Sequence, residues 1–514
     1  MIKSLLNTLG FTSPPFDGGI TPNMCKWTEG SSIKTCPLPP VLIVPLKQHI
    51  GQPCTPLVKI GDLVLRGQKI AKAEGYLSAP VHAPTSGKVI KIEEHAIPHP
   101  SGMGMVSIFI EPDGKDQRDM LLDPMTNWLQ RDPAELRERV RMCGIVGLGG
   151  AAFPTFIKLL KDQRHPIETV ILNGIECEPF LTNDHRLMVE NSATILHGLH
   201  IVMHMLGAKK AIIAIEDNKI DAVQAMRENV DLLGDDLIRV EVLPTRYPQG
   251  SEKQLIESLT GKQVPAGKLP MHIGVLCQNI GTVKAIDDAV MLGHAITERV
   301  ITVSGDAVPN PANMLVRLGT SMRFIYAQCG LEKFDNIQIL HGGPMMGERL
   351  RHPDIPVIKS STGLLAISDA RMKVAHQVEE PCIRCGHCSE VCPVNLVPNL
   401  LADHCRNDQL ERAANYDLFD CIECGACSYV CPSHIPLVHY FRYGKGQTAQ
   451  MRREQSFAEV SRLRSEGRDA RLQREKDEKA AKRRKLRATL RSESVLNTAN
   501  EEKTATQPKT EVND

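Results

Sequence analysis

Eight of the sixteen cysteines stand in two copies of one pattern, C-x2-C-x2-C-x3-C-P: Cys382, Cys385, Cys388 and Cys392 before Pro393, then Cys421, Cys424, Cys427 and Cys431 before Pro432. Thiolates at i, i+3 and i+6 wrap one face of a [4Fe-4S] cubane in a tight turn. The fourth, four residues on, has entered the next helix and points to the neighbouring cubane. The pattern predicts two clusters with crossed ligands: Cys382, Cys385, Cys388 and Cys431 on one, and Cys421, Cys424, Cys427 and Cys392 on the other. Gly386 and Gly425 fall where the chain must stay thin beside sulfide. Between the motifs, Leu396, Leu400, Leu401 and Cys405 recur at helical spacing, so the linker is expected to be helical and Cys405 a buried thiol rather than a ninth ligand. Two four-cysteine zinc sites are the alternative, but those usually separate their Cys pairs by longer loops and have no role for the trailing Cys-Pro. Two adjacent clusters serve one-electron relay between a donor and an acceptor.

A chain of 514 residues exceeds one ordinary domain, since domains usually hold roughly 100 to 200 residues. A formal net charge of +1 gives no global pull toward nucleic acid or anionic lipid. The basic run Lys482-Arg483-Arg484-Lys485 is interleaved with Glu and reads as a solvated helix, so no nucleic-acid partner is expected. The most apolar stretch, Ile195 to Ile215, is broken by His197, His200, His204, Lys209 and Lys210, so no spanning helix is expected. Met1 to Gly10 lacks the pattern of a secretory signal. Cytoplasm is the expected compartment, and dense Cys there reads as metal ligands rather than disulfides.

Six segments follow from the changes in pattern. Residues 1–36 are polar and punctuated by Gly and Pro, an extended arm around Phe16-Asp17-Gly18-Gly19-Ile20. Residues 37–115 carry short β runs (Val41 to Val44, Leu63 to Leu65, Lys88 to Ile92, Val106 to Ile110) and form a small all-β barrel. Gly61 to Gln68 and Ala83 to Val89 resemble the two halves of a biotinyl/lipoyl-type hybrid barrel. No carrier hairpin tip lies between them, so Lys72 is expected to bear no covalent arm. Residues 130–265 alternate β and α, with Glu168 to Asn173 and Lys210 to Glu216 as buried strands and Thr194 to Leu206 and Asp221 to Val230 as helices, an open parallel sheet covered on both faces. Residues 266–350 hold shorter β runs such as Val300 to Gly305 and resemble an SLBB-like β-grasp. Residues 370–445 are the helical dicluster [4Fe-4S] module. Residues 446–514 are a charged helix ending in two dozen disordered residues. The fold class expected is a multidomain α/β and β protein.

Gly147, Gly149 and Gly150 make a glycine-rich turn before Pro154 and a helix carrying Lys158. Its N–H groups suit a phosphate, helped by the helix dipole. Asn173, Glu176 and Glu178 follow a buried strand at its carboxyl end, where open α/β sheets bind ligands. Gly147 to Lys158, Asn173 to Pro179, Tyr247-Pro248-Gln249-Gly250-Ser251-Glu252 and Gln278-Asn279-Ile280-Gly281-Thr282 resemble, in that order, the flavin- and NADH-binding segments of the flavoprotein subunit of respiratory complex I. Leu148 and Ile175 stand where that subunit has Arg and Asp. The resemblance implies an FMN and NADH site at Gly147, Gly149, Gly150, Lys158, Asn173, Glu176, Glu178, Gly250, Asn279 and Thr282.

The whole order of arm, barrel, α/β domain, β-grasp segment, dicluster module and charged tail resembles the RnfC family, the peripheral component of the Rnf (Rsx) ion-translocating electron-transport complex, over about 440 residues. That resemblance implies a peripheral subunit on the cytoplasmic side of the bacterial inner membrane, in a complex that couples electron transfer between NADH and ferredoxin to ion movement. Its partners would be the membrane subunits, a ferredoxin-type carrier and NADH. A flavin converts between two-electron and one-electron carriers. The other function considered is an iron-sulfur adaptor that relays electrons between protein partners with no nucleotide site of its own.

Overall fold

The computed structural model describes residues 16–99, 102–120, 122–375 and 378–504; the leader reading at Met1 to Gly10 lies outside them. The barrel is two small antiparallel sheets. One has the order Leu42–Pro45, Gly104–Pro112, Gly87–Ala96, Leu63–Val64, and the other Thr55–Pro56, Lys69–Lys72, Val81–His82. Alternate residues, among them Leu42, Val44, Ile70, Val89, Ile108 and Ile110, turn inward and are fully or almost fully buried. Lys72 lies across the ladder from Thr55 and pairs with Glu74 at 3.2 Å, part of a strand rather than a tip.

The α/β domain is a parallel sheet in the order Ile238–Leu243, Lys210–Glu216, Thr169–Gly174, Val275–Asn279. Its central strands are buried on both faces, as continuous β-branched runs require. Helices Ser192–Leu206, Ile220–Leu233 and Glu252–Thr260 each stop at a left-handed glycine, Gly207, Gly234 or Gly261. The sheet runs past the boundary expected at residue 265. Val275–Asn279 pairs with Thr169–Gly174, and Ile280–Met291 packs on the same core. Nothing local in Val275–Asn279 distinguishes a fourth parallel strand from the start of the next domain.

The third sheet is mixed and six-stranded, in the order Lys34–Thr35, Ala312–Arg317, Glu298–Ser304, Gly363–Ser368, Ile337–His341, Glu348–Leu350. It therefore begins near residue 298 and reaches 368, and its edge strand comes from the segment read as a free arm. Lys359, wholly buried, joins three layers by donating to the carbonyls of Pro80 (2.9 Å) in the barrel and Gly144 (2.7 Å) before the glycine turn. Burial lowers its pKa to about 8.

The cysteine module has short helices His387–Glu390, Pro398–Arg406, Leu410–Asn415 and Ala426–Tyr429. The helical linker is present but broken at Asp408, which has φ +55°, and Cys405 is buried within it. Leu437–Thr504 is one long helix, and its side chains from Met451 to Leu496 are all exposed. Helix thus continues through residues 491–504, in place of the expected disorder, and residues 505–514 lie outside the described residues. Among the described residues no helix is long and apolar enough to cross a membrane.

Candidate functional site

The two cysteine motifs fold into the same turn twice, 39 residues apart. Arg384 and Glu423 have φ +58° and +57°, Gly386 and Gly425 have +86° and +81°, and Asn395 and His434 have +54° and +51°. Left-handed residues at these places curl the chain so that the three leading thiols of each motif face one centre. Cys382, Cys385 and Cys388 line one cavity together with Cys431, the last cysteine of the other motif, and with Ile435 and Leu437. In the second cradle burial pushes the Cys424 thiol up to about 12, and the sulfurs of Cys421 and Cys392 push it further in the same direction. Cys427 is raised by burial and by the same neighbours. Each fourth cysteine therefore stands with the opposite motif, as the spacing predicted.

Four crowded thiols cannot all ionise without a cationic centre to hold them, which is the donor set of an iron-sulfur cluster. Among the described residues no three His, Cys, Asp or Glu converge as a single metal ion requires. Thiolates on one zinc sit roughly 3.8 Å apart, given a Zn–S bond of about 2.3 Å. The cradles suit a larger body.

The cradles differ in surroundings. Cys382 and Cys385 are exposed and Cys388 and Cys431 half-buried, whereas Cys392, Cys424 and Cys427 are buried. The second, inner cradle packs into the α/β domain: Cys424 and Ala426 share a core with Ile171, Ile175, Tyr247 and Leu255. Tyr247, fully buried, donates its O–H to the Cys424 carbonyl at 2.5 Å. Gln254 donates to the Pro393 carbonyl at 3.1 Å. The first, outer cradle opens at the surface beside Ile383, which is 69% exposed.

The strand order of the α/β sheet reverses between Thr169–Gly174 and Val275–Asn279, and the predicted cofactor residues gather at the carboxyl ends of these two strands. The loop 147–153 is closed by Gly147 N–H to Phe153 O (2.8 Å) and Ala152 N–H to Gly147 O (3.1 Å). Gly149 and Gly150 are exposed, and a Cβ on Gly149 would lie 3.3 Å from Asn279. Thr282 accepts from Leu148 N–H at 2.9 Å. Asn173 donates to Gly250 O at 2.9 Å, tying the two strand-end loops together.

Three expected ligand contacts are already taken by the chain itself. Lys158 pairs with Glu252 at 2.8 Å. The helix that carries it, Thr155–Lys158, is a single turn and lends little dipole. Glu176 accepts from the N–H groups of Asp184 (3.0 Å) and His185 (3.1 Å) at the start of helix Asn183–Glu190. Glu178 accepts from Met345 and Met346 N–H at 3.1 and 2.8 Å, and burial raises its pKa to about 7. Leu148 and Ile175 are buried apolar residues.

Sequence reasoning missed several participants. Asp184 accepts from Asn279 at 2.6 Å, and burial beside Glu176 raises its pKa. Lys26 donates to the carbonyls of Glu176, Glu178 and Leu181 at 2.6, 2.9 and 2.6 Å. Glu216 and Lys219 form a buried ion pair behind Glu176. A lone Lys in a polar arm gives no local signal. Of the pair, only the Glu at a strand end could have been suspected.

For a flavin the residues present fit in part. The buried amide atoms Gln249 Oε1, Gln254 Oε1 and Gln278 Nε2 lack partners near this strand end, and the glycine turn is open to solvent. These are groups that a polar ligand satisfies.

Residues 14–115 match the family described as the RnfC barrel sandwich hybrid domain, residues 140–288 the Nuo51 FMN-binding domain, and residues 378–435 the 4Fe-4S dicluster domain. The chain is 42% identical over 463 residues to the RnfC-type subunit of the ion-translocating oxidoreductase complex of Yersinia pestis bv. Antiqua (strain Antiqua), covering 90% of this chain and 74% of that one. To the protein of the same name in Pseudomonas aeruginosa it is 43% identical over 469 residues, 91% of this chain and 60% of that one. Among solved structures, the NAD+-reducing [NiFe]-hydrogenase in its H2-reduced state aligns over 63% of this chain and 65% of that one, with 18% identity and a TM-score of 0.45.

Proposed function

We infer, because this chain belongs to the RnfC family of ion-translocating oxidoreductase complex subunits, that it passes electrons through its two [4Fe-4S] clusters in a fixed order, inner first and outer second, away from the α/β crevice. The single observation behind this order is the contrast in burial: Cys392, Cys424 and Cys427 are enclosed by the α/β core, while Cys382 and Cys385 face solvent. A donor in the crevice meets the inner cluster, and a protein carrier at the surface meets the outer one. Cys421, Cys424, Cys427 and Cys392 hold the inner cluster; Cys382, Cys385, Cys388 and Cys431 hold the outer.

FMN bound in the crevice supplies the conversion between a two-electron donor and one-electron carriers. The chain's own part is to hold it: Gly149 and Gly150 at the phosphate, Asn279 and Thr282 behind the turn, and Asn173 and Gly250 fixing the strand-end loop. NADH is the proposed donor, and a ferredoxin-type protein or a membrane subunit of the same complex the proposed acceptor. The outer cluster then faces the cytoplasmic side of the inner membrane, the subunit sits there peripherally, and the mixed sheet serves as an SLBB-like docking segment.

A second reading has an observation in its favour. Because Lys158, Glu176 and Glu178 are all satisfied within the chain, the crevice offers NADH fewer charged partners than its motif suggests, and the protein becomes an adaptor fed by another subunit.

Anaerobic reconstitution separates the two. About eight iron and eight sulfide per chain are expected for two cubanes. Addition of NADH with FMN is expected to bleach the cluster absorbance. Bleaching by dithionite but not by NADH with FMN favours the adaptor, and stoichiometric zinc without cluster absorbance refutes both.

A further inference from the structure

The inner cradle is gripped from outside the cysteine module at two of its ligands, and both grips meet at Tyr247. Its O–H donates to the carbonyl of Cys424, a ligand from the second motif, at 2.5 Å. Its backbone pairs with Ile20 in both directions, Ile20 N–H to Tyr247 O at 2.8 Å and Tyr247 N–H to Ile20 O at 2.9 Å. From Ile20 the strap Phe16–Ile20 runs to the other ligand turn, where Gly19 N–H donates to the Val391 carbonyl at 2.9 Å. Gly18 has φ +72°, and a Cβ there would lie 2.6 Å from the Cys392 carbonyl oxygen. Only glycine lets the strap approach this closely. Arg246 stacks over Phe16 at 5.3 Å and donates to its carbonyl at 3.3 Å, which fixes the far end.

The counterparts 39 residues earlier have no such grip. Among the described residues none donates to the Cys385 carbonyl, and the outer turn is tied only within the module, by Glu380 N–H to Ser433 O and Ser433 O–H to Pro381 O, both 3.0 Å.

We propose that Tyr247 is a positioning residue of the inner cluster: its phenol and the strap paired to its backbone fix the Cys424 and Cys392 turns, so the α/β domain sets the redox poise of that cluster and not of the outer one. A donor on a ligand's carbonyl draws electron density from a peptide dipole beside the cluster and favours the reduced, more negative state; hydrogen bonding and solvent exposure are the levers that set cluster potentials. The inference rests on the inner and outer ligand sets proposed above but not on the donor.

The test is a potentiometric titration of the full-length, reconstituted protein with dithionite and mediators, followed by EPR. Because NADH is not used, failure of the electron order leaves the result unchanged. Tyr247→Phe keeps the ring's packing and removes the donor. The reduced-to-oxidised ratio of the inner cluster at a fixed potential is expected to fall about threefold, one ordinary hydrogen bond's effect, or about 28 mV at 59 mV per decade. The outer cluster should not move. Gly18→Ala, which breaks the strap and leaves the phenol, is expected to lower inner-cluster occupancy with the outer retained, and serves if Tyr247→Phe does not fold. The proposal is overturned if Tyr247→Phe shifts both clusters alike or neither, or if Gly18→Ala depletes both equally.

Discussion

The two cysteine turns have almost the same backbone and different neighbours. Gly386 and Gly425 share a left-handed φ, yet a Cβ on Gly386 would meet nothing within 4 Å, while one on Gly425 would lie 3.0 Å from the Met345 carbonyl oxygen. The turn is set locally, by three cysteines at a spacing of three with a residue between them that tolerates positive φ. Where each turn faces is set by tertiary packing, and that packing separates an inner relay point from an outer one.

The sharpest way to break this comparison is to remove the fourth ligands one at a time. Cys392→Ala is expected to abolish the inner cluster and Cys431→Ala the outer, each lowering iron from about eight to about four per chain. EPR that assigns either loss to the cluster of the variant's own motif contradicts the crossing. Next in size is the glycine pair. An alanine in a left-handed turn costs roughly 1 to 2 kcal/mol at either position, but Gly425→Ala also forces the Met345 loop away. Inner-cluster occupancy in Gly425→Ala should fall well below outer-cluster occupancy in Gly386→Ala, and equal losses would remove the role given to packing. Exposure predicts a smaller, kinetic difference: an iron chelator with oxidant should strip the outer cluster several times faster than the inner, because Cys382 and Cys385 are open to solvent. Identical rates would mean that the inner cradle opens as readily as the outer.

The smallest effect concerns pH. Glu178 holds the Met345–Met346 backbone that packs against Gly425, and burial lifts its pKa from 4.5 to about 7. A carboxyl group raised in the folded state favours folding while protonated. Its contribution is full below pH 4.5 and is lost as pH rises through about 7. Thermal unfolding measured from pH 6 to 8 should show declining stability in the wild type, and Glu178→Gln should flatten that decline. An unchanged slope in the variant assigns the decline elsewhere.

How much of the molecule is legible in its sequence varies with the reach of each interaction. The cluster ligands are legible because spacings of three and four residues encode a turn and a helix entry. Val275–Asn279 is not legible as the fourth strand, because its partner Thr169–Gly174 lies about a hundred residues away and a short apolar run has no marker of its own. Lys158, Glu176 and Glu178 have the residue types of a nucleotide site. Their partners, Glu252, the Asp184 and His185 N–H groups and the Met345–Met346 loop, are decided only by folding. Tyr247 stands in a recognisable motif, but its bond to Cys424 spans 177 residues and leaves no trace in composition or period.

The central claim, that electrons leave the α/β crevice through the inner cluster and then the outer, is tested most directly by anaerobic stopped-flow reduction with NADH and FMN in two variants. In Cys382→Ala, which lacks a full outer cradle, the inner cluster should still be reduced at the wild-type rate. In Cys427→Ala, which lacks a full inner cradle, the outer cluster should remain oxidised by NADH while dithionite still reduces it. Reduction of the outer cluster by NADH at the wild-type rate in Cys427→Ala would contradict the order.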